Sequence, residues 1–136
     1  MNITKEDLEK QLSSIENLKF VGLEFRSDVV EKKYHNCLFY IVGNDYENEI
    51  GVEKSNFEVF SLSDEDFVFI NSSLVQLINC INVLTQTIDL EKNYVEKTRC
   101  QQVKEVKREF RKMDKKSLNK GCWWSYILEE VKDGLL

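Results

Sequence analysis

Residues 66–88, DFVFINSSLVQLINCINVLTQTI, decide the fold through a change of hydrophobic period. Phe67-Val68-Phe69-Ile70 is a short apolar run rich in β-formers, with acids before it and Asn-Ser-Ser after it, the composition of a buried strand. From Leu74 the period lengthens. Leu74, Leu77, Ile78, Ile81, Leu84 and Ile88 recur at helical spacing and fall on one face. Asn71, Ser72 and Ser73 lie between the two, and each can offer a side-chain oxygen to the free N–H groups of a first helical turn. The stretch therefore predicts a central strand feeding a capped, one-faced helix, with the core built around it. That places the chain in the α+β or α/β class and says nothing about activity.

Upstream, residues 4–17 read as a helix: Thr4 caps it, Asp7 three residues on nearly completes a capping box, and Leu8, Leu12 and Ile15 form its apolar stripe. Residues 18–25 alternate as one strand, and 26–31 fit either a helical turn or a continuing strand. CLFYIV at 37–42 is apolar at nearly every position and predicts a central strand buried on both faces. Gly43-Asn44-Asp45 is a turn signal. Residues 50–54 and 56–62 read as two strands, or one with an irregularity. Strands joined by such short turns imply an antiparallel meander. Downstream, 94–113 predicts a long charged helix with the stripe Val103, Val106, Phe110 and Met113. Residues 123–132 predict a last helix with Trp124, Ile127, Leu128 and Val131 inward. The expected fold is α+β: an antiparallel sheet of about four to six strands packed against several helices, in a single domain over residues 1–136.

The length, 136 residues with 42% hydrophobic, suits one core. No run approaches the roughly 20 apolar residues of a membrane helix. The charged start MNITKEDLEKQL lacks an apolar leader segment, so a cytoplasmic location is expected and no membrane partner. On that reading the sequons at Asn2 and Asn71 are chance matches. Cys37, Cys80, Cys100 and Cys122 are too far apart for a zinc knuckle or redox dithiol, and read as reduced structural thiols. His35 is the only histidine.

Net charge is −5, and its distribution is uneven. Residues 44–66 hold eight acids against one lysine, whereas residues 92–120 hold eleven bases against four acids. The basic helix interleaves Glu96, Glu105 and Glu109 with its Lys and Arg residues at spacings that pair within the helix, so it reads as a solvated face rather than a nucleic-acid contact. Asp45-x-Glu47-x-Glu49 resembles the start of a calcium loop. It fails where the pattern is strict: Ile50 occupies the glycine position, Asn56 the bidentate acid. No nucleophile elbow, P-loop or dinucleotide motif is present, which argues against an enzyme and against a cofactor. The candidate functional surface is the acidic stretch: Asp45, Glu47, Glu49, Glu53, Glu58, Asp64 and Glu65, whose charge would speed association with a basic protein partner.

Three segments together resemble a known family. They are Phe69-Ile70-Asn71-Ser72-Ser73-Leu74, an acid (Asp114) near the end of the charged helix, and Trp124-x-x-x-Leu128-Glu129-Glu130-x-x-x-Gly134-Leu135-Leu136. In this combination the chain is similar to the SUKH superfamily of bacterial immunity proteins, nearest its fourth group, mainly over residues 57–136. The resemblance implies an α+β fold, no enzymatic activity, and neutralisation of a cognate polymorphic toxin, often a nuclease, by binding it. It makes Asn71, Ser72, Trp124 and Gly134 fold residues, and it carries no toxin-binding residues. A non-catalytic regulatory or scaffold domain of the same fold is the alternative.

Overall fold

The computed structural model describes residues 3–15 and 17–136. Asn2 of the first sequon and Glu16 of the first predicted helix lie outside the described residues. Helix α1 (Lys5–Ser13) starts where the capping signal puts it: Thr4 Oγ1 accepts from the Asp7 N–H at 3.1 Å, and the Asp7 carboxylate accepts from the Thr4 N–H at 3.0 Å. Leu8 and Leu12 are buried. The helix stops short of the expected residue 17. Ser13 and Ser14 turn their hydroxyls back onto the carbonyls of Lys10 and Gln11, competing with the backbone ladder.

Six strands follow: β1 (Lys19–Phe20), β2 (Leu23–Tyr34), β3 (Cys37–Asp45), β4 (Asn48–Glu53), β5 (Val59–Leu62) and β6 (Phe67–Asn71). They pair antiparallel in sequence order, so the α+β meander is as expected. Three details differ from the sequence reading. Residues 18–25 form two strands, not one, because the chain turns at Val21-Gly22 and brings Phe20 and Leu23 to the same buried side. The Tyr46 ring lies over Gly22, 2.3 Å from where a Cβ would stand. Gly43-Asn44-Asp45 is not a turn but the end of β3, and the reversal comes at Tyr46-Glu47. Gly43 serves close strand approach at a bulge instead, since a Cβ there would sit 2.2 Å from the Glu24 carbonyl oxygen. Finally, β6 is the last strand in the sheet, not a central one. Its Ile70 and Asn71 are nevertheless fully buried, because helices rather than strands cover it.

Helix α2 (Leu74–Thr87) follows directly, capped by Ser73, whose hydroxyl accepts from the Gln76 N–H at 3.2 Å. Leu74, Leu77, Cys80, Ile81 and Leu84 face the core. Helix α3 (Glu96–Asp114) buries Val103, Val106 and Phe110, and a 3-10 turn (Lys115–Leu118) leads to α4 (Trp123–Lys132). Phe110 and Trp124 meet edge to face at 4.9 Å, and Trp123 and Trp124 at 4.8 Å. Helix α4 ends in a Schellman motif: Gly134, at φ +74°, donates to Val131 and Leu135 donates to Glu130. No helix among the described residues is long and apolar enough to cross a membrane.

The helices cover one face of the sheet with a single apolar cluster running from Leu8 to Val131. On the other face no helix packs among the described residues. The sheet curls instead, aided by bulges in β2, β3 and β6. Phe39, Ile41 and Leu62 become fully buried there, with Tyr34, Phe60 and Phe67 around them. The curl is tight enough that Tyr34 of β2 packs edge-on against Phe67 of β6 at 6.3 Å, although three strands lie between them in the sheet.

Candidate partner-binding surface

Curling decides which of the candidate acids meet. It brings the end of β2 over the β3–β4 and β5–β6 turns and forms an open groove of ≈ 540 Å³ in which Glu47, Glu49 and Asp64 face Lys32, Tyr34, Asn44 and Asn48. Glu47 is exposed at the turn, and Asp64 and Glu65 are exposed on the neighbouring one. Glu49 is held. Its Oε1 accepts from Lys32 Nζ at 2.7 Å and from the Tyr34 hydroxyl. Burial pushes the Glu49 carboxyl up, but the hydrogen bonds from Lys32 and Tyr34 outweigh it and leave the group below its ordinary value. The same contact raises Lys32, while burial followed by the Glu49 bond raises the Tyr34 phenol.

The remaining candidate acids do not join this groove. Asp45 turns to the helix face, where its Oδ2 accepts from the Trp123 indole N–H at 3.0 Å and from the Ser61 hydroxyl at 3.3 Å. Glu53 lies beside the β4–β5 turn, accepting from the Ser55 hydroxyl at 2.6 Å. Glu58 is paired with Lys116 at 2.7 Å, tying that turn to the segment after α3. Position explains the scatter: Asp45 lies opposite Asn48 and so faces away from Glu49, Glu53 shares the Glu49 face but sits at the far end of β4, and Glu58 precedes β5. The calcium-like spacing dissolves for the same reason. Asp45 and Glu49 belong to different strands and answer to different donors, and among the described residues no group of three or more His, Cys, Asp or Glu is placed to hold a metal ion.

Sequence reasoning passed over three features of this surface. Tyr46, at the β3–β4 turn, is 71% exposed and at φ +52°. Lys32 and Tyr34 reach Glu49 from 15 or more residues away, which no local pattern signals. The Trp123–Asp45 bond removes one acid from the surface, and a tryptophan near the chain's end gave no sign of that partner.

Four of the residues that carried the family resemblance, Asn71, Ser72, Asp114 and Trp124, meet elsewhere, behind β6. Trp124 Nε1 donates to Asn71 Oδ1 at 2.8 Å, and Asn71 Nδ2 donates to Asp114 Oδ2 at 2.9 Å. Asp114 also accepts from the Ser72 N–H and hydroxyl. Gln76 Nε2 adds a bond to the Met113 carbonyl at 2.8 Å. Asn71 and Ser72 thus do not cap α2 as expected. They join the strand-to-helix corner to the end of α3 and to α4.

No family model, curated protein or solved structure matches this chain. The groove presents free carboxylates at Glu47 and Asp64 beside a neutralised Glu49–Lys32 pair, an arrangement suited to meeting cationic side chains of another protein.

Proposed function

We propose that this protein is an immunity protein that binds a cognate toxin in the cytoplasm and neutralises it by covering the toxin's working surface. The observation that carries the reading is the closure of Asn71, Ser72, Asp114 and Trp124 into one buried hydrogen-bond network. Asn71, Ser72 and Trp124 are among the residues to which the resemblance to the SUKH superfamily assigns a fold role, and here they join Asp114, the acid of the same resemblance, while Gly134 ends α4 apart from them. The groove at Glu47, Glu49 and Asp64 supplies a surface for a basic toxin. Nuclease–immunity pairs are among the tightest complexes known, and surface charges of opposite sign on the two partners speed their encounter.

The test is co-expression with the product of the adjacent gene, followed by co-purification and a growth-protection assay. Joint elution with protection supports the reading; independent elution without protection removes it. Given a complex, Glu47→Lys with Asp64→Lys is expected to slow association by about tenfold and flatten its salt dependence. An unchanged on-rate would move the contact away from this groove while leaving the immunity reading in place.

A further inference from the structure

We infer that the outer edge of β2 over Val30–Tyr34 is a self-complementary docking strand, and that its occupant is the same edge of a second copy of this chain. Strand β1 covers β2 only at Leu23 and Glu24. The Val29 N–H beyond that is taken by Glu9 Oε2 at 3.1 Å. From Val30 onward β2 pairs with β3 alone, and Val30, Glu31, Lys32 and Lys33 are exposed.

The direction of the free backbone groups follows from the hairpin. Tyr34 and Cys37 flank a two-residue turn, His35-Asn36, with both residues at positive φ. Such a turn is closed by a hydrogen-bonded pair, and bonding then alternates along the ladder. Tyr34, Lys32 and Val30 therefore bond to β3, while Glu31 and Lys33 point their N–H and C=O groups outward. A second strand can bond only through those two residues.

One antiparallel register uses them well. With Lys32 opposite its own copy, Glu31 lies opposite Lys33 and Lys33 opposite Glu31, which gives four backbone hydrogen bonds and two cross-strand ion pairs. Val30 then lies opposite Tyr34 in both directions, an aromatic against a β-branched side chain. A shift by one residue sets outward groups against inward ones. The registers centred on Glu31 or Lys33 set like charges face to face. Among the described residues no ion pair takes Lys33; Glu31 already accepts from Lys54 Nζ at 2.6 Å through Oε1, which leaves its Oε2 for the Lys33 of the partner copy. Lys32 would face Lys32, but each lies 2.7 Å from its own Glu49 carboxylate, so two neutralised pairs meet rather than two bare cations. The interface is isologous and closes as a two-fold dimer.

Edge lysines also serve to keep strands unpaired, and the experiment separates the two roles. Sedimentation velocity of the full chain from about 10 µM to about 1 mM is expected to show a monomer–dimer equilibrium. Lys33→Glu and Glu31→Lys are each expected to weaken it by roughly tenfold or more, since both cross-strand pairs become repulsive. Mixing the two variants is expected to restore dimers, because each Lys then faces a Glu on the other chain. Circular dichroism of each variant checks that the fold is kept. A parent chain that stays monomeric throughout, as it would if the edge served a strand of a different protein or none, overturns the proposal. So does a mixture that associates no better than its components.

Discussion

Asp114, the last residue of α3, accepts both the backbone N–H and the hydroxyl of Ser72, at 2.8 and 2.7 Å. It is 6% exposed and receives the Asn71 amide as well. One carboxylate thus clamps the β6–α2 corner, which starts 43 residues earlier in the chain, to the start of the 3-10 turn. Asp114→Ala leaves these donors buried without an acceptor and is expected to cost about 3–5 kcal/mol. Asp114→Asn keeps one acceptor oxygen and is expected to cost less, about 1–3 kcal/mol. Urea unfolding midpoints at neutral pH check both. Equal stability of the alanine variant and the parent would show that the clamp contributes nothing.

Trp124 joins the same network through its indole N–H while its rings fill the space between Phe20, Phe110 and Trp123. Truncation and replacement separate the two contributions. Trp124→Ala is expected to destabilise by about 3–5 kcal/mol, as for a large buried aromatic. Trp124→Phe keeps an aromatic ring but strands Asn71 Oδ1, with an expected loss of about 1–3 kcal/mol. A thermal melt of the alanine variant superimposable on the parent would mean that α4 is not docked.

Glu49 sets a pH dependence whose sign can be worked out. The Lys32 and Tyr34 bonds hold its carboxyl below the ordinary value against the upward push of burial. A group depressed in the folded state adds stability above its unfolded value and loses it as pH falls through the folded one. The parent is therefore expected to lose stability on acidification below the usual glutamate range, and Glu49→Gln to show a shallower slope there. Unfolding midpoints between about pH 7 and about pH 3 provide the comparison. Parallel curves for the two proteins would remove Glu49 from the account.

Cys80 is expected to be chemically silent in the folded protein. It is fully buried on α2, and burial pushes its thiol up to about 12, with the Asp114 carboxylate adding to the shift and the Asn71 amide opposing it. Alkylation at about pH 8 should mark the partly exposed Cys37, Cys100 and Cys122 and reach Cys80 only in denaturant. Mass mapping after a timed pulse reads this directly. Labelling of Cys80 at the rate of Cys37 would mean that α2 opens from the sheet.

Much of the fold was legible because its signals are local. The Thr4–Asp7 capping box, the Ser73 cap, the stripe of α2 and the start of α4 at Trp123 each depend on residues within a turn or two of one another. Gly43 misled for a physical reason. Glycine marks either a reversal or a close approach of two backbones, and Gly43 serves the second. The candidate surface was legible only in part, since the donors that reach Asp45, Glu49 and Glu58 from distant segments sort the acids.

The sequence by itself determined where strand gives way to helix, which helix faces are apolar, and that charge is segregated along the chain. Those properties follow from periodicity and short-range sterics, which need only neighbouring residues. The tertiary structure alone decided that β6 lies at the end of the sheet, that Asp114 clamps Ser72, and that curling gathers Glu47, Glu49 and Asp64 into one groove. Each of these depends on contacts between segments far apart in the chain, whose geometry is set only when the bulged strands bend and the helices close over them.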